Sequence, residues 1–426
     1  PRPFAGRGCR GVGLPVRNDM INIEGEVALK TELFGDPQAL FEQLGRPGPV
    51  HRVALPDGMP AWLVTGHAEV REVLSDPRLV RGADAAAPEL RQYLGMYSDD
   101  FVLTRHMMLS DPPDHTRMRR AVSKAFTPRR VEQLRPRVEK ITRELVDAML
   151  PQGTADIVDA LALPLPIAVI CEMLGVPFED RAEFGQRAEV ITGMNASSGP
   201  QELVGAGRWF DAYLGSLVER RRTDPGDDMI SGMLQAQIGP DPLSDLELRS
   251  NAFILLVGGF ETSVNLIANG LLALLRHPDA LSRLRDDLSL LPEAVEEMMR
   301  LDSPVSTVTY RFATEKLTIG GVEIQPGDHV AVSIAAANHD PTRFPDPSRL
   351  DITRKTNGHL SFSHGIHFCL GAPLARLEGE IAFRELLSRT DGLRLAVAEE
   401  ELRWKQNFIV HRLEHLPVTF ASAEEA

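Results

Sequence analysis

Residues Asp245–Arg276 read as one uninterrupted helical pattern, and this run restricts the fold more than any other part of the chain. Ser244 with Glu247 three residues later is the signature of a capping box, and His277-Pro278 stops the pattern. At 1.5 Å per residue the helix reaches roughly 48 Å, enough to cross a whole domain, so the other elements must be arranged around it. In its middle stands Gly258-Gly259-Phe260-Glu261-Thr262. Two adjacent glycines cost about 1 kcal/mol each relative to alanine inside a helix, which points to close approach of a bulky group or a local distortion. Thr262 is spaced to hydrogen-bond the Gly258 carbonyl one turn back, widening the turn into a groove.

A second signature lies near the C-terminus, in Phe362-Ser363-His364-Gly365-Ile366-His367-Phe368-Cys369-Leu370-Gly371. Gly365 and Gly371 let the backbone turn sharply and approach a flat group closely. Leu370, Leu374, Leu377 and Ile381 recur at helical spacing, so Cys369 sits just before a helix whose dipole and free amides favour a thiolate. A thiolate on haem iron donates electron density toward dioxygen and favours breaking the O–O bond. The rival reading is zinc held by His364, His367 and Cys369. Structural zinc wants four ligands, and no second Cys/His pair stands at zinc-ligand spacing.

Position by position this segment resembles the cysteine-ligand signature of the cytochrome P-450 family, through Phe362, Gly365, His367, Cys369, Gly371, Leu374 and Ala375. The central run is similar to the family's (Ala/Gly)-Gly-x-(Asp/Glu)-Thr motif, and the resemblance extends over about residues 23–420. It implies a mainly α fold, an α-rich triangular prism with small peripheral β-sheets. Haem b (iron protoporphyrin IX) would lie between the long central helix and the Cys-ligand loop. Cys369 would be the axial ligand, with Phe362, Gly365, His367 and Gly371 on its side of the haem and Gly258 and Gly259 on the other. Thr262 would donate the hydrogen bond that steers oxygen activation, and Glu261 would relay protons.

The segment Asp111-Pro112-Pro113-Asp114-His115-Thr116-Arg117-Met118-Arg119 resembles the family's propionate-binding helix start. That implies His115 and Arg119 as propionate donors, completed by Arg311 and His367. Glu297 and Arg300 share one helix face, where an exposed pair contributes only a few tenths of a kcal/mol. The resemblance implies instead a buried structural pair joined by a downstream arginine, assigned to Arg349. His339, in Asn338-His339-Asp340-Pro341, stands where relatives often carry arginine.

The 426 residues are 43% hydrophobic and carry a net charge of -14, against general binding to nucleic acid or anionic membranes. Cys9, Cys171 and Cys369 cannot build a disulfide framework, so a reducing cytoplasm is expected. No apolar run approaches the roughly 20 residues of a membrane helix. Residues 1–18 read as a disordered leader or added tail, because Gly6-x-Gly8-x-x-Gly11 has neither a strand before it nor a helix after it. Residues 19–426 then form a single catalytic domain. Helical patterns cover 121–150, 165–174, 208–222, 245–276 and 293–301. One β region pairs 50–55 with 61–65 across Pro56-Asp57-Gly58, and a second covers 317–334.

Residues 117–143 hold ten basic side chains against two acidic ones, a local +8. Most charge runs are solvated helix faces, but this one extends from the propionate segment and suits an acidic ferredoxin. No flavin or nicotinamide domain is read in the chain, so electrons are expected from ferredoxin and ferredoxin reductase fed by NAD(P)H. By resemblance the substrate pocket draws on 81–108, 178–222, Ile254, Val257, Val305, Val308, Phe408 and Ile409, with Met96, Met107, Met108 and Met194 nearby. The expected activity is a haem-thiolate monooxygenase, a monomer using O2 and two electrons to hydroxylate or epoxidise a lipophilic metabolite such as a macrolide or polyketide. The alternatives are a thiolate-haem peroxygenase or isomerase, and a non-catalytic haem sensor.

Overall fold

The computed structural model describes residues 27–44, 48–93, 104–191, 200–236, 241–355, 358–405 and 407–423. The leader 1–18, Met96 and Met194 lie outside the described residues. The long helix spans Asp245–Arg276, the run expected from its caps. Ser244 Oγ accepts from Glu247 N–H, and the Glu247 carboxylate accepts from Ser244 N–H. Length and composition alone would let this helix cross a membrane, but 72% of its apolar window is buried inside the protein. It is the core helix.

The helix Ala372–Arg389, which follows Cys369, packs directly on it. A Cβ added at Gly270 would stand 2.8 Å from Phe383 Cζ, and one at Gly379 would stand 3.0 Å from Leu266 Cδ2. Larger residues at either position would push the two helices apart, and with them the Cys loop from the central groove.

The run expected as one helix over 121–150 is two, Asp114–Ala125 and Pro128–Met149. The break is local chemistry: Thr127 Oγ1 caps Arg130 N–H at 3.3 Å, and Pro128, lacking an N–H, starts the next helix. The expected 208–222 segment extends to Pro200–Thr223, and 293–301 begins earlier, as Leu291–Leu301. The two β regions are joined in part: Leu317–Ile319 and Val322–Ile324 form a two-stranded sheet of their own, while His329–Ser333 enters the hairpin's sheet. Val50–Ala54 pairs antiparallel with Pro60–Val64, and His329–Ser333 lies parallel beside the latter, with Trp62 opposite Val330. Thr307–Ala313 continues this six-stranded sheet antiparallel to His329–Ser333.

Glu297 and Arg300 are fully buried and meet through two hydrogen bonds of 2.7 and 2.8 Å. The third member differs from expectation. Arg349 offers only its backbone carbonyl, which accepts from Arg300 Nη2 at 3.3 Å. The guanidinium that reaches Glu297 belongs to Arg354, Nε to Oε1 at 3.0 Å, and it also binds the carbonyls of Pro345 and Asp346. The loop turns at Asp346, φ 49°, and brings in the arginine five residues beyond Arg349. Removing Arg354 leaves Glu297 paired with Arg300 but takes away a charged hydrogen bond to Glu297 Oε1 and the bonds to the carbonyls of Pro345 and Asp346. Arg354→Met is therefore expected to cost about 2 kcal/mol in denaturant unfolding, whereas Arg349→Met stays within about 0.5 kcal/mol. Equal losses would restore Arg349 to the network.

Candidate functional site

The Cys loop is closed by its own backbone. Ser363 N–H donates to Leu360 O, Phe368 N–H to Gly365 O and Cys369 N–H to Phe362 O at 2.7, 3.1 and 2.8 Å. Gly365 holds φ 71°, and a Cβ there would lie 2.8 Å from the Leu74 carbonyl. Its smallness lets the loop pack on the helix His67–Ser75. The Phe362 ring carries the Arg376 guanidinium 4.5 Å from its centroid. Burial pushes the Cys369 thiol up, and the amides of Gly371 and Ala372 with the charges of Arg119 and Arg376 pull the other way. A coordinating metal removes that proton outright.

On the central helix Thr262 Oγ1 donates to Gly258 O at 2.8 Å, the back-bond its spacing predicts. A Cβ on Gly258 would meet nothing within 4 Å, so this glycine borders open space, while one on Gly259 would touch Ile170 at 3.3 Å. Glu261 is 9% exposed, and Arg412 Nη1 stands 3.7 Å from its Oε1. Burial raises the Glu261 pKa to about 7 against the pull of Arg412 and Lys405.

A cluster of buried bases gathers beside the Cys loop. The rings of His115 and His367 lie 4.5 Å apart between centroids. Neither nitrogen of His115 and neither terminal nitrogen of Arg311 has a hydrogen-bond partner among the described residues. Burial, then Arg119 and Arg81, lowers the His115 pKa. Burial and the charges of Arg81, His115, Arg311 and Arg119 bring His367 down to about 2. Asp111 is already engaged, accepting from the N–H groups of Arg81 and Gly82. Arg119 donates to Phe368 O at 2.6 Å. Buried donors that suppress one another's charge fit an anion, and the two carboxylates of haem b meet that need.

Arg81 and His106 also belong to this cluster, whereas the sequence places them only in the 81–108 stretch expected to line the substrate pocket. Burial and Arg81 bring His106 to about 4. Neither residue lies in a recognisable motif, so only the fold reveals them. The zinc reading finds no support, because His364 Nε2 accepts from Arg71 at 3.2 Å, the His367 ring packs tilted at 58° against His115, and the three residues form no metal-holding group among the described residues. Among the expected pocket residues, Ile254, Val257, Val305, Val308 and Ile409 are all half-buried. Val305 bridges to Val410, and Ile409 O accepts from Ser306 N–H. Phe408 points elsewhere in part, its ring 5.8 Å from Phe34 in the N-terminal core.

Residues 201–392 match the family model described as Cytochrome P450. The chain is 45% identical over 402 residues to cytochrome P450 monooxygenase PikC of Streptomyces venezuelae, covering 94% of each protein. It is 48% identical over 368 residues to 6-deoxyerythronolide B hydroxylase of Saccharopolyspora erythraea, covering 85% of this chain and 90% of that protein. Among solved structures, ligand-free P450 monooxygenase TamI superposes with a TM-score of 0.83 at 43% identity, over 93% of this chain and 94% of that one. Sequence and fold agree along almost the whole length, and the chain belongs to the cytochrome P450 family.

Proposed function

We propose that this haem-thiolate monooxygenase hydroxylates or epoxidises a lipophilic polyketide-type metabolite of macrolide size. One observation carries the reading: the helix that follows Cys369 packs on the central helix, which bears Thr262 back-bonded to Gly258 and, beside it, Glu261 with its pKa raised by burial. Haem b, when bound, supplies activation of dioxygen with two external electrons, one oxygen atom entering the substrate and the other leaving as water. Cys369 would hold the iron as thiolate. His115, Arg311 and His367, with Arg81 and His106, would hold the propionates, while Arg119 ties the Cys loop to the helix Asp114–Ala125.

Thr262 holds a proton at Oγ1 on Gly258 O and can turn it toward an acceptor in the groove. Glu261, with a pKa near 7, can both take up and release a proton at neutral pH, the property required of a general acid. A peroxygenase or gas sensor has no use for that pair. Apolar Ile254, Val257, Val305, Val308 and Ile409 suit a large lipophilic substrate, and the relatives include a hydroxylase named for 6-deoxyerythronolide B. Cys171 and Cys369 are free thiols, which suits a reducing cytoplasm.

The basic run narrows the electron donor's docking face. Most of its charges are already paired, Arg117 with Glu247, Arg135 with Glu132, Arg137 with Glu172 and Arg143 with Glu385. Arg120, Lys124 and Arg129 have no ion pair among the described residues. With exposed Phe368 and Ile366 on the Cys loop, they suit an acidic ferredoxin.

Three measurements test this function. The reduced, carbon monoxide-bound protein should give a thiolate-type Soret band that Cys369→Ser loses; a band unchanged in the variant would remove Cys369 from the iron. Thr262→Ala should keep consuming oxygen while hydrogen peroxide rises and product per electron falls about tenfold or more. Equal coupling would make Thr262 a packing residue. Charge reversal at Arg120 and Lys124 should slow the first electron from ferredoxin at low salt and lose that effect as the Debye length drops below about 10 Å. An unchanged rate at low salt would move the docking face elsewhere.

A further inference from the structure

Glu261 stands at one end of a polar stripe that the reaction as described does not use. Asn265 follows Glu261 by four residues and Thr262 by three, so it shares a helix face with both. Asn269 lies one turn further on. Their neighbours Val264, Leu266, Ile267, Ala268 and Leu271 are buried and apolar. Asn265 is 0% exposed and Asn269 1%. A buried amide costs stability unless its polar atoms find partners. Asn269 Nδ2 donates to His411 O at 2.9 Å and to Asp302 Oδ1 at 3.3 Å. Asn269 Oδ1 and both polar atoms of Asn265 have no protein partner among the described residues.

The segment facing this stripe is His411-Arg412. It touches the helix at two points, His411 O on Asn269 and Arg412 Nη1 beside Glu261. Asn265 lies on the helix between those contacts. At the outer end His411 Nδ1 and Asp302 Oδ1 are 2.9 Å apart, with side chains 18% and 21% exposed. The His411 ring is held flat on Trp404, centroids 3.8 Å apart and planes 6° from parallel. A titratable pair therefore reaches solvent at one end, Glu261 waits at the other, and three unpartnered polar atoms lie between. Groups of that kind are what buried waters bind, with about three hydrogen bonds each.

We propose that waters held by Asn265 and Asn269 connect the His411–Asp302 pair to Glu261 as a proton inlet, with Arg412 positioning the Glu261 carboxylate at its inner end. This rests on reading Glu261 as the proton relay. A proton enters at the solvent-touching pair, passes along the waters and reaches Glu261, then Thr262. Each hop breaks one O–H or N–H bond and forms another, and solvent refills the outer pair. Arg412 and Lys405 are the charges facing Glu261, and Glu189 and Glu414 in turn face those two bases.

Asn265→Leu keeps the volume and removes both polar atoms, whereas Asn265→Ser leaves room for a water and a hydroxyl to bind it. In the holoenzyme, the substrate-induced spectral shift and first-electron reduction should match the parent in both variants. Product per electron should fall about tenfold in the leucine variant and recover in the serine variant. The solvent deuterium isotope effect on product formation should rise in the leucine variant alone. A crystal structure of the parent should hold an ordered water on Asn265 that the leucine variant lacks. Parental coupling in Asn265→Leu, or a parent Asn265 with no water bound, would overturn the inlet. The crystallographic arm reads the water whether or not any substrate is oxidised, so failure of the monooxygenase reading is told apart from failure of the inlet.

Discussion

Close contact between the long central helix and the helix behind Cys369 fixes the distance on which the site depends. Gly270 against Phe383 and Gly379 against Leu266 let two helix backbones approach closer than side chains would otherwise allow. The Cys loop leads directly into one helix, and Gly258 and Thr262 lie on the other, joined by the Thr262 back-bond. Their separation is therefore a packing quantity, held by the same close-packed interior that resists compression elsewhere in the protein. The Glu297–Arg300–Arg354 cluster braces this pair from the side, with Arg300 also binding the carbonyls of Asn338 and Pro347.

Electrostatics at the site run against burial on both sides of the groove. Below, buried bases crowd together, both nitrogens of His115 and the terminal nitrogens of Arg311 lacking a hydrogen-bond partner among the described residues, and they lower one another's pKa, a strain that an anionic group would relieve. Above, Glu261 is pushed toward neutrality and Glu378, fully buried with Ser263 as its hydrogen-bond partner, up to about 8.

What the sequence makes legible is what local chemistry decides. Both ends of the central helix follow from the Ser244 box and Pro278, and the Thr262 back-bond follows from four-residue spacing. The Cys loop is recognisable because its glycines and hydrogen bonds all lie within twelve residues, Leu360 to Gly371. Non-local choices are not legible. Which of two arginines turns inward depends on the path of the loop after Asp346, so Arg354 displaces Arg349. Arg81 and His106 join the buried base cluster from segments that carry no motif, and Arg412 meets Glu261 only because the C-terminal segment lies along the central helix. The Thr127–Pro128 break is local, yet helical charge periodicity continues on either side and masks it.

The six-stranded sheet has a consequence for how the chain is made. Its second hairpin strand, Pro60–Val64, is parallel to His329–Ser333, and Trp62 Nε1 bonds Asp328 Oδ2 across 266 residues of sequence. During synthesis the early hairpin must wait, one edge unpaired, until nearly the whole helical body has emerged. Loop closure over that length is slow, and an open strand edge is a template for association with other chains. The helical core can assemble from neighbouring segments without it, so the N-terminal lobe is set to dock last, onto a surface already formed. A protein whose chemistry lies in its helices thus carries its folding hazard in two five-residue strands of its sheet.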